Sequence, residues 1–274
     1  MTDTPDAAVV DSLDPLEPPQ QIAPAQHQPR TLGFWRTTLW GLLIIVLFFI
    51  GQLTPILYLL LRHDGAFTGP VELQTAAVQI ASRSLTVSLS AIMGVPAILL
   101  PIYFAVRHTR MSFADYLGLR WTGWKNFALG VVGMVVILGC WELAAHLTGR
   151  GDTSSSFMVD ILKTARGDGV VWLMVIAFCV AAPVSEELMA RGFLYRGWSD
   201  SFLRVPGAIL LSSAVWTVLH LQYDWFALLN VFSLGVWFGY LRYRTHSLYL
   251  TMVLHGLNNL AATIQTMWLA SGQS

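Results

Sequence analysis

Residues 38–61 read TLWGLLIIVLFFIGQLTPILYLLL, a run without a single acid or base. As a helix it rises about 36 Å at 1.5 Å per residue, enough to cross a hydrocarbon layer of about 30 Å. Six further apolar stretches follow, at 85–106, 127–147, 171–198, 207–221, 225–241 and 248–269. The fourth of the seven is over-long and the fifth is short, so that pair is the irregular part of the molecule. Composition agrees: 55% of the 274 residues are hydrophobic and 12% are charged, against roughly 25% charged in a soluble domain. The expected fold is all-α, a polytopic bundle of about seven transmembrane helices with the lipid bilayer as its surroundings.

The 16 Lys and Arg balance the 16 Asp and Glu, so no net field recruits nucleic acid, which is excluded as a partner. Cys140 and Cys179 are the only cysteines, each inside an apolar run, which excludes a disulfide framework and a cysteine-based zinc site. Residues 1–33 form an acidic, proline-rich tail with Asp3, Asp6, Asp11, Asp14 and Glu17 and no apolar run. Such a segment cannot bury enough surface to offset its ordering and is expected to be disordered. It lacks the basic start and adjoining apolar run of a secretory signal, so residues 34–274 are read as the transmembrane domain. Pro55, Pro96 and Pro183 fall inside spans, where kinks are expected. Gly235 and Gly239 form a small-xxx-small pair, read as a close helix crossing.

With seven spans, alternate connections place Arg30, Arg36, Arg107, Arg110, Arg120, Lys125, Arg191, Arg196, Arg204, Arg242 and Arg244 on one side. The other side receives Arg62, Arg83, Arg150, Lys163 and Arg166. The richer side is cytoplasmic by the positive-inside rule, which puts the N-terminus in, the C-terminus out and the loop at 149–169 outside.

Ionisable residues inside spans cost at least a few kcal/mol each, and here they are Glu142, His146, Glu186, Glu187, Arg191, His220 and His255. The densest group is APVSEELMARGFLY at 182–195. Four residues apart on a helix, Glu187 and Arg191 share a face and can pair, while Glu186 is turned about 100° away and left free. A free carboxylate in a low-dielectric cavity is suited to take a proton from water; two glutamates at a span's cytoplasmic end would equally suit headgroup water. Next, Trp216 and His220 stack a ring and an imidazole on one face, which packing alone also explains. Third, His255 and Asn259 share a face beside Gly256, which permits close approach; two such donors can hold an oxyanion or make an interhelical hydrogen bond. Glu142 and His146 lie near the end of the third span and are read as a boundary pair meeting external water.

In this order, Glu-Glu-x-x-x-Arg, aromatic-x-x-x-His and His-x-x-x-Asn resemble the CPBP family, also called the Abi or type II CAAX prenyl protease family. The resemblance covers about 172–263, within a catalytic core at about 171–265, and takes in Gly192 to Tyr195 and the upstream stretch from Tyr116 to Arg120. Trp216 stands where the family has Phe, a departure expected to alter only the cavity wall. The resemblance implies an intramembrane endopeptidase in which Glu186 is general base on a water beside His220. Glu187 and Arg191 would support the site, and His255 with Asn259 would hold the oxyanion. No tightly bound cofactor is firmly implied; a divalent metal such as zinc, if present, would take Glu186, His220 and His255 with a fourth position for water. The implied substrate is a peptide or membrane protein, lipidated or not, and the implied location the cell membrane of a bacterium.

A site-2 type protease is excluded by the lack of His-Glu-x-x-His, and a rhomboid type by the lack of a Gly-x-Ser turn in a span. Tyr223-Asp224 is half of a presenilin-type pair without its second half, and Asp224 is read as capping the sixth span. The rival functions are a transporter, disfavoured by the lack of an inverted repeat, and an immunity or scaffold protein on the same fold. Equal depth for the site demands that the short fifth helix be tilted or partly outside the bilayer, with irregular backbone near Gln222 lining a wet cavity. The cavity is expected to open toward the cytoplasm.

Overall fold

The computed structural model of the chain describes residues 31–62, 69–150 and 156–271. The expected tail up to position 30 lies outside the described residues. Among these the chain is all helix. The elements are α1 (Gly33–Leu61), α2 (Pro70–Ala81), α3 (Ser84–Arg107), α4 (Phe113–Leu117), α5 (Trp124–Leu147) and α6 (Ser156–Gly167). They continue with α7 (Val171–Ser199), interrupted by two π-helical stretches, then α8 (Arg204–Val218), α9 (Trp225–Thr245) and α10 (Leu248–Ser271).

By length and composition, α1, α3, α5 and α7 can each cross a membrane, so this is an integral membrane protein and the expected count of seven spans is approximate. The fifth expected span, α8, stops at Val218 after 15 residues, about 22 Å of helix. The last two, α9 and α10, have 21 and 24 residues but mix polar groups such as Asn230, Ser233, His255 and Asn259 into their apolar sequence. Those groups serve the interior. Apolar side chains such as Val46 and Ile50 on α1 and Val132 and Val136 on α5 are exposed instead, an arrangement that lipid accepts and water does not.

Consecutive long helices run antiparallel, and several neighbours approach through glycines. A Cβ on Gly51 would lie 2.6 Å from Ala97, and one on Gly94 the same distance from the Phe48 ring, which fixes α1 against α3. Helix α5 meets α9 where Gly133 accommodates the Trp237 indole, whose Nε1 donates to the Gly130 carbonyl at 3.1 Å. The main core joins α1, α3, α4, α7 and α8 around Ile44, Ile98, Ile102, Leu117, Phe193 and Leu248. A second cluster around Trp216, Phe238 and Leu254 joins α5, α8, α9 and α10.

One end of the bundle is tied by α4. Ser112 caps it by accepting from the Asp115 N–H at 3.0 Å, and Gly118 closes it in the left-handed conformation at φ 71°. Around this turn Arg242 Nη2 donates to the Leu117 carbonyl at 3.0 Å, Leu248 N–H donates to the Gly118 carbonyl at 2.8 Å, and Ser247 Oγ donates to the Arg120 carbonyl at 2.6 Å. A Cβ on Gly118 would meet the Arg242 guanidinium at 2.5 Å and the His246 carbonyl at 2.7 Å. Gly118→Ala combines that overlap with a left-handed backbone, a conformation that alone costs about 1–2 kcal/mol. The expected result is a clearly lower unfolding midpoint in detergent, whereas Gly123→Ala, with open space around its Cβ, leaves the midpoint unchanged.

Candidate active site

The site begins with a disturbance in α7. Pro183 has no N–H, so neither the Cys179 carbonyl of an α-turn nor the Phe178 carbonyl of a π-turn finds its partner there. The chain is π-helical over Ala177–Ala181, α-helical over Ala182–Glu187 and π-helical again over Leu188–Leu194. Helix α10 docks on the released carbonyls. Asn259 Nδ2 donates to the Phe178 carbonyl at 2.9 Å, and Gly256 passes so near the Cys179 carbonyl that a Cβ would stand 2.6 Å from it. Close approach at Gly256 is thus as expected, and it carries His255 to the two glutamates.

Glu187 is fully buried, and its Oε1 accepts from Arg191 Nη1 at 2.8 Å and from His255 Nδ1 at 3.2 Å. Arg191, also fully buried, donates through Nη2 to the Gly235 carbonyl at 3.1 Å. Its guanidinium carbon lies 4.3 Å from the centre of the Trp216 ring, within cation–π range. The expected Glu187–Arg191 pairing is present. Gly235 does more than allow a crossing: a Cβ there would lie 3.0–3.1 Å from Ser213, Arg191 and Trp216, and its carbonyl receives the arginine.

Glu186 is not free as expected. Trp216 Nε1 donates to its Oε2 at 2.6 Å, so the indole at the family's Phe position touches the carboxylate and does not merely alter a wall. The same Oε2 lies 3.9 Å from His220 Nε2 and 3.8 Å from His255 Nε2. The partners of the other ring nitrogens fix the tautomers. His220 Nδ1 meets the Trp216 carbonyl at 3.0 Å and His255 Nδ1 meets the Glu187 carboxylate. Both partners only accept, so each Nδ1 carries hydrogen, and each ring turns its Nε2 toward Glu186.

These groups form the floor of a cavity of about 530 Å³. His220 sits just beyond the end of α8, on a turn whose Gln222 and Tyr223 also line the cavity, which matches the expected irregular backbone near Gln222. From Glu186 the lining passes Asn258 and Asn259 to Ala81, Met158 and Gln222. That is the end of the bundle opposite Arg36, Arg196 and Arg242. Glu142 and His146 are exposed on α5 and line none of the cavity. Asp224 caps α9 as expected, accepting from the Ala227 N–H at 2.8 Å.

Sequence reasoning passed over Tyr223 as a site residue. Its ring stacks on His220 with centroids 5.9 Å apart, and burial, then the Glu186 carboxylate, push its phenol above the usual range against the Gln222 amide. Its place three residues after His220 was the available signal. Among the described residues, no three or more His, Cys, Asp or Glu side chains are grouped so as to hold a metal ion.

The family model described as type II CAAX prenyl endopeptidase Rce1-like matches residues 168–261, the segment that holds Glu186, Glu187, Arg191, His220, His255 and Asn259. The match agrees with the resemblance read from the motifs and points to a CAAX-type intramembrane protease. No curated protein and no solved structure matches the chain.

Removing one partner of a buried ion pair costs about 3–5 kcal/mol, because the other charge is stranded. Glu187→Gln is therefore expected to unfold well before the wild type in a denaturant or thermal titration in detergent. Glu186→Gln, whose direct partner is an uncharged indole, is expected to unfold close to the wild type.

Proposed function

We propose that the protein is an intramembrane endopeptidase that hydrolyses a peptide bond with a water activated by Glu186. The observation that carries this reading is the convergence of one carboxylate oxygen and two imidazole Nε2 atoms on one cavity floor. Gaps of 3.8 and 3.9 Å are too wide for direct hydrogen bonds and suit a water molecule held between the groups.

Glu186 takes one proton of that water as its oxygen attacks the scissile carbonyl, while His220 Nε2 accepts the other hydrogen and orients it. The carbonyl oxygen becomes the oxyanion of a tetrahedral intermediate. Its donors are the second N–H of the Asn259 amide, the first being spent on Phe178, and His255 when protonated at Nε2 next to Glu187. Glu186 then returns its proton to the leaving amine, the C–N bond breaks, and the carboxylate is regenerated with one water consumed. Glu187 and Arg191 touch no reacting atom in this scheme. They hold His255 and Trp216 in place.

Among the described residues no three or more His, Cys, Asp or Glu side chains are grouped to hold a metal ion, and the scheme routes no step through one. The substrate is a peptide or a membrane-associated protein, and the apolar upper cavity wall, with Phe48, Leu53, Ile56 and Val87, suits a hydrophobic or lipidated segment.

The test is cleavage of a quenched peptide library by purified protein in detergent, wild type beside Glu186→Gln, with and without chelator. Expected are cleavage by the wild type, its retention with chelator and its loss in the variant. Cleavage by Glu186→Gln at the native rate would sink the proposal. Loss with chelator would bring Glu186, His220 and His255 forward as metal ligands, and a wild type inert to every peptide would favour a non-enzymatic membrane protein on the same cavity.

Trp216 is a positioning residue in this scheme. Trp216→Phe keeps a ring over Arg191 and removes the N–H that holds Glu186, a hydrogen bond to a charged group worth about 1.5–3 kcal/mol. The expected result is a kcat lowered at least about 10-fold with KM little changed and a lower unfolding midpoint. An unchanged kcat would show that the indole N–H does not position the base.

A further inference from the structure

We infer that Gln52 and Asn258 hold the main chain of the substrate in extended form in the cavity, so that the polypeptide is recognised by its peptide groups and not only by apolar side chains. The inference deepens the endopeptidase reading and rests on it.

Four carboxamides line the cavity, those of Gln52, Gln222, Asn258 and Asn259. Two are committed: Asn259 holds the Phe178 carbonyl, and Gln222 is bonded to the Tyr223 phenol. The lining hydroxyls of Ser90 and Thr263 are also spent, on the Gln52 carbonyl at 2.7 Å and the Asn259 carbonyl at 2.8 Å. Gln52 keeps its whole amide, since among the described residues no group pairs with its side chain. Asn258 spends one N–H on Asn259 Oδ1 at 3.2 Å and keeps its own Oδ1 and a second N–H. Each of the two therefore still offers an acceptor and at least one donor.

Both amides stand on fixed backbone. On α1, Gln52 falls four residues after Phe48 and four before Ile56, and all three line the cavity, so one face of α1 is the wall. The Ser90 hydrogen bond ties that turn to α3, and a Cβ on the adjoining Gly51 would stand 2.6 Å from Ala97. On α10, Asn258 lies three residues beyond His255, about 4.5 Å along the axis, beside the proposed oxyanion donor Asn259. An extended chain advances about 3.3 Å per residue. With its scissile carbonyl at Glu186, its next peptide groups reach the height of Asn258.

Peptide chemistry accounts for such groups in an otherwise apolar wall. A substrate segment that stays helical keeps its scissile carbonyl behind its own hydrogen bonds. Once it is unwound, each N–H and C=O loses a partner, which is costly against Phe48, Ile56, Val87 and Leu234. A carboxamide carries the same donor and acceptor as a peptide group and no charge, so Gln52 and Asn258 replace the lost partners whatever the neighbouring side chains are. Among the described residues no Lys or Arg lines the cavity, so the wall offers no counter-charge to an anionic ligand.

The test uses the full chain in detergent with one peptide that the wild type cleaves, beside ester analogues in which a single N–H flanking the scissile bond is replaced by oxygen. Gln52→Leu, which breaks no hydrogen bond of the fold, and Asn258→Leu each remove one carboxamide at similar size. Each is expected to raise KM about 3- to 10-fold, the worth of a neutral hydrogen bond, with the effect of Gln52→Leu falling on KM and not on kcat. An ester that weakens the wild type by a similar factor is expected to cost one of the two variants nothing further, because the partner is already gone. The same factor is expected in the Kd of the labelled peptide for Glu186→Gln when Gln52→Leu is added. Native KM in both variants, or esters that cost both variants as much as the wild type at every position, would overturn the inference. Failure of the Glu186 chemistry would appear instead as native cleavage by Glu186→Gln, a result separate from all of these.

Discussion

An arginine and a glutamate without solvent exposure meet at 2.8 Å inside an apolar bundle, and such a pair demands partners for its remaining hydrogen-bonding capacity, a demand met in part, since Glu187 Oε2 and Arg191 Nε find none. Each answer to that demand comes from a different helix. Gly235 of α9 offers its carbonyl to Arg191, His255 of α10 gives a hydrogen to Glu187, and Trp216 of α8 lays its ring against the guanidinium. The pair is thereby the joint at which α8, α9 and α10 are set against α7. The same three contacts place His255 and Trp216 within reach of Glu186, so the demand of the buried charges and the assembly of the site are one constraint.

The irregularity of α7 follows from the same economy. A regular helix satisfies every internal carbonyl and leaves a neighbour nothing polar to grip. Pro183 and the π-turns around it release the carbonyls of Phe178 and Cys179, one taken by Asn259 and the other lying against Gly256. π-turns inside α-helices recur where function needs a carbonyl or a side chain out of regular register. Here they do both: the first stretch docks α10, and the second, Leu188–Leu194, follows directly on the glutamates and contains Arg191.

Much of this was legible in the sequence because it follows from spacing and hydrophobicity. The apolar runs locate the long helices, the four-residue spacing pairs Glu187 with Arg191, and Asp224 before an apolar run caps α9. What was not legible depends on which groups meet across helices. Nothing in the spacing of Trp216 says that its N–H finds Glu186, because that contact spans thirty residues and depends on the crossing of α7 with α8. Gly235 looked like a packing glycine because its contribution is a backbone carbonyl, which every residue carries. The count of spans was blurred in α8 to α10 because their polar residues, placed for the interior, dilute the hydropathy that marks a lipid-facing helix.

A hydrolytic centre inside a membrane has to admit water without becoming a pore. The centre proposed here lies in a bundle whose two ends are unlike. At the arginine-rich end the chain is stitched by hydrogen bonds from Arg242, Ser247 and Leu248 to the carbonyls of residues 117–120, above a core packed to zero exposure at Phe193 and Leu248. Arg242, itself only 3% exposed, is held there by the Leu117 carbonyl and lies 5.7 Å from the Tyr195 ring centre. At the other end α8 stops short, and its missing last turns leave the space that His220, Gln222 and Tyr223 line. The early end of α8 thus leaves a cavity on one side of Glu186, while the interior on the other side is closely packed.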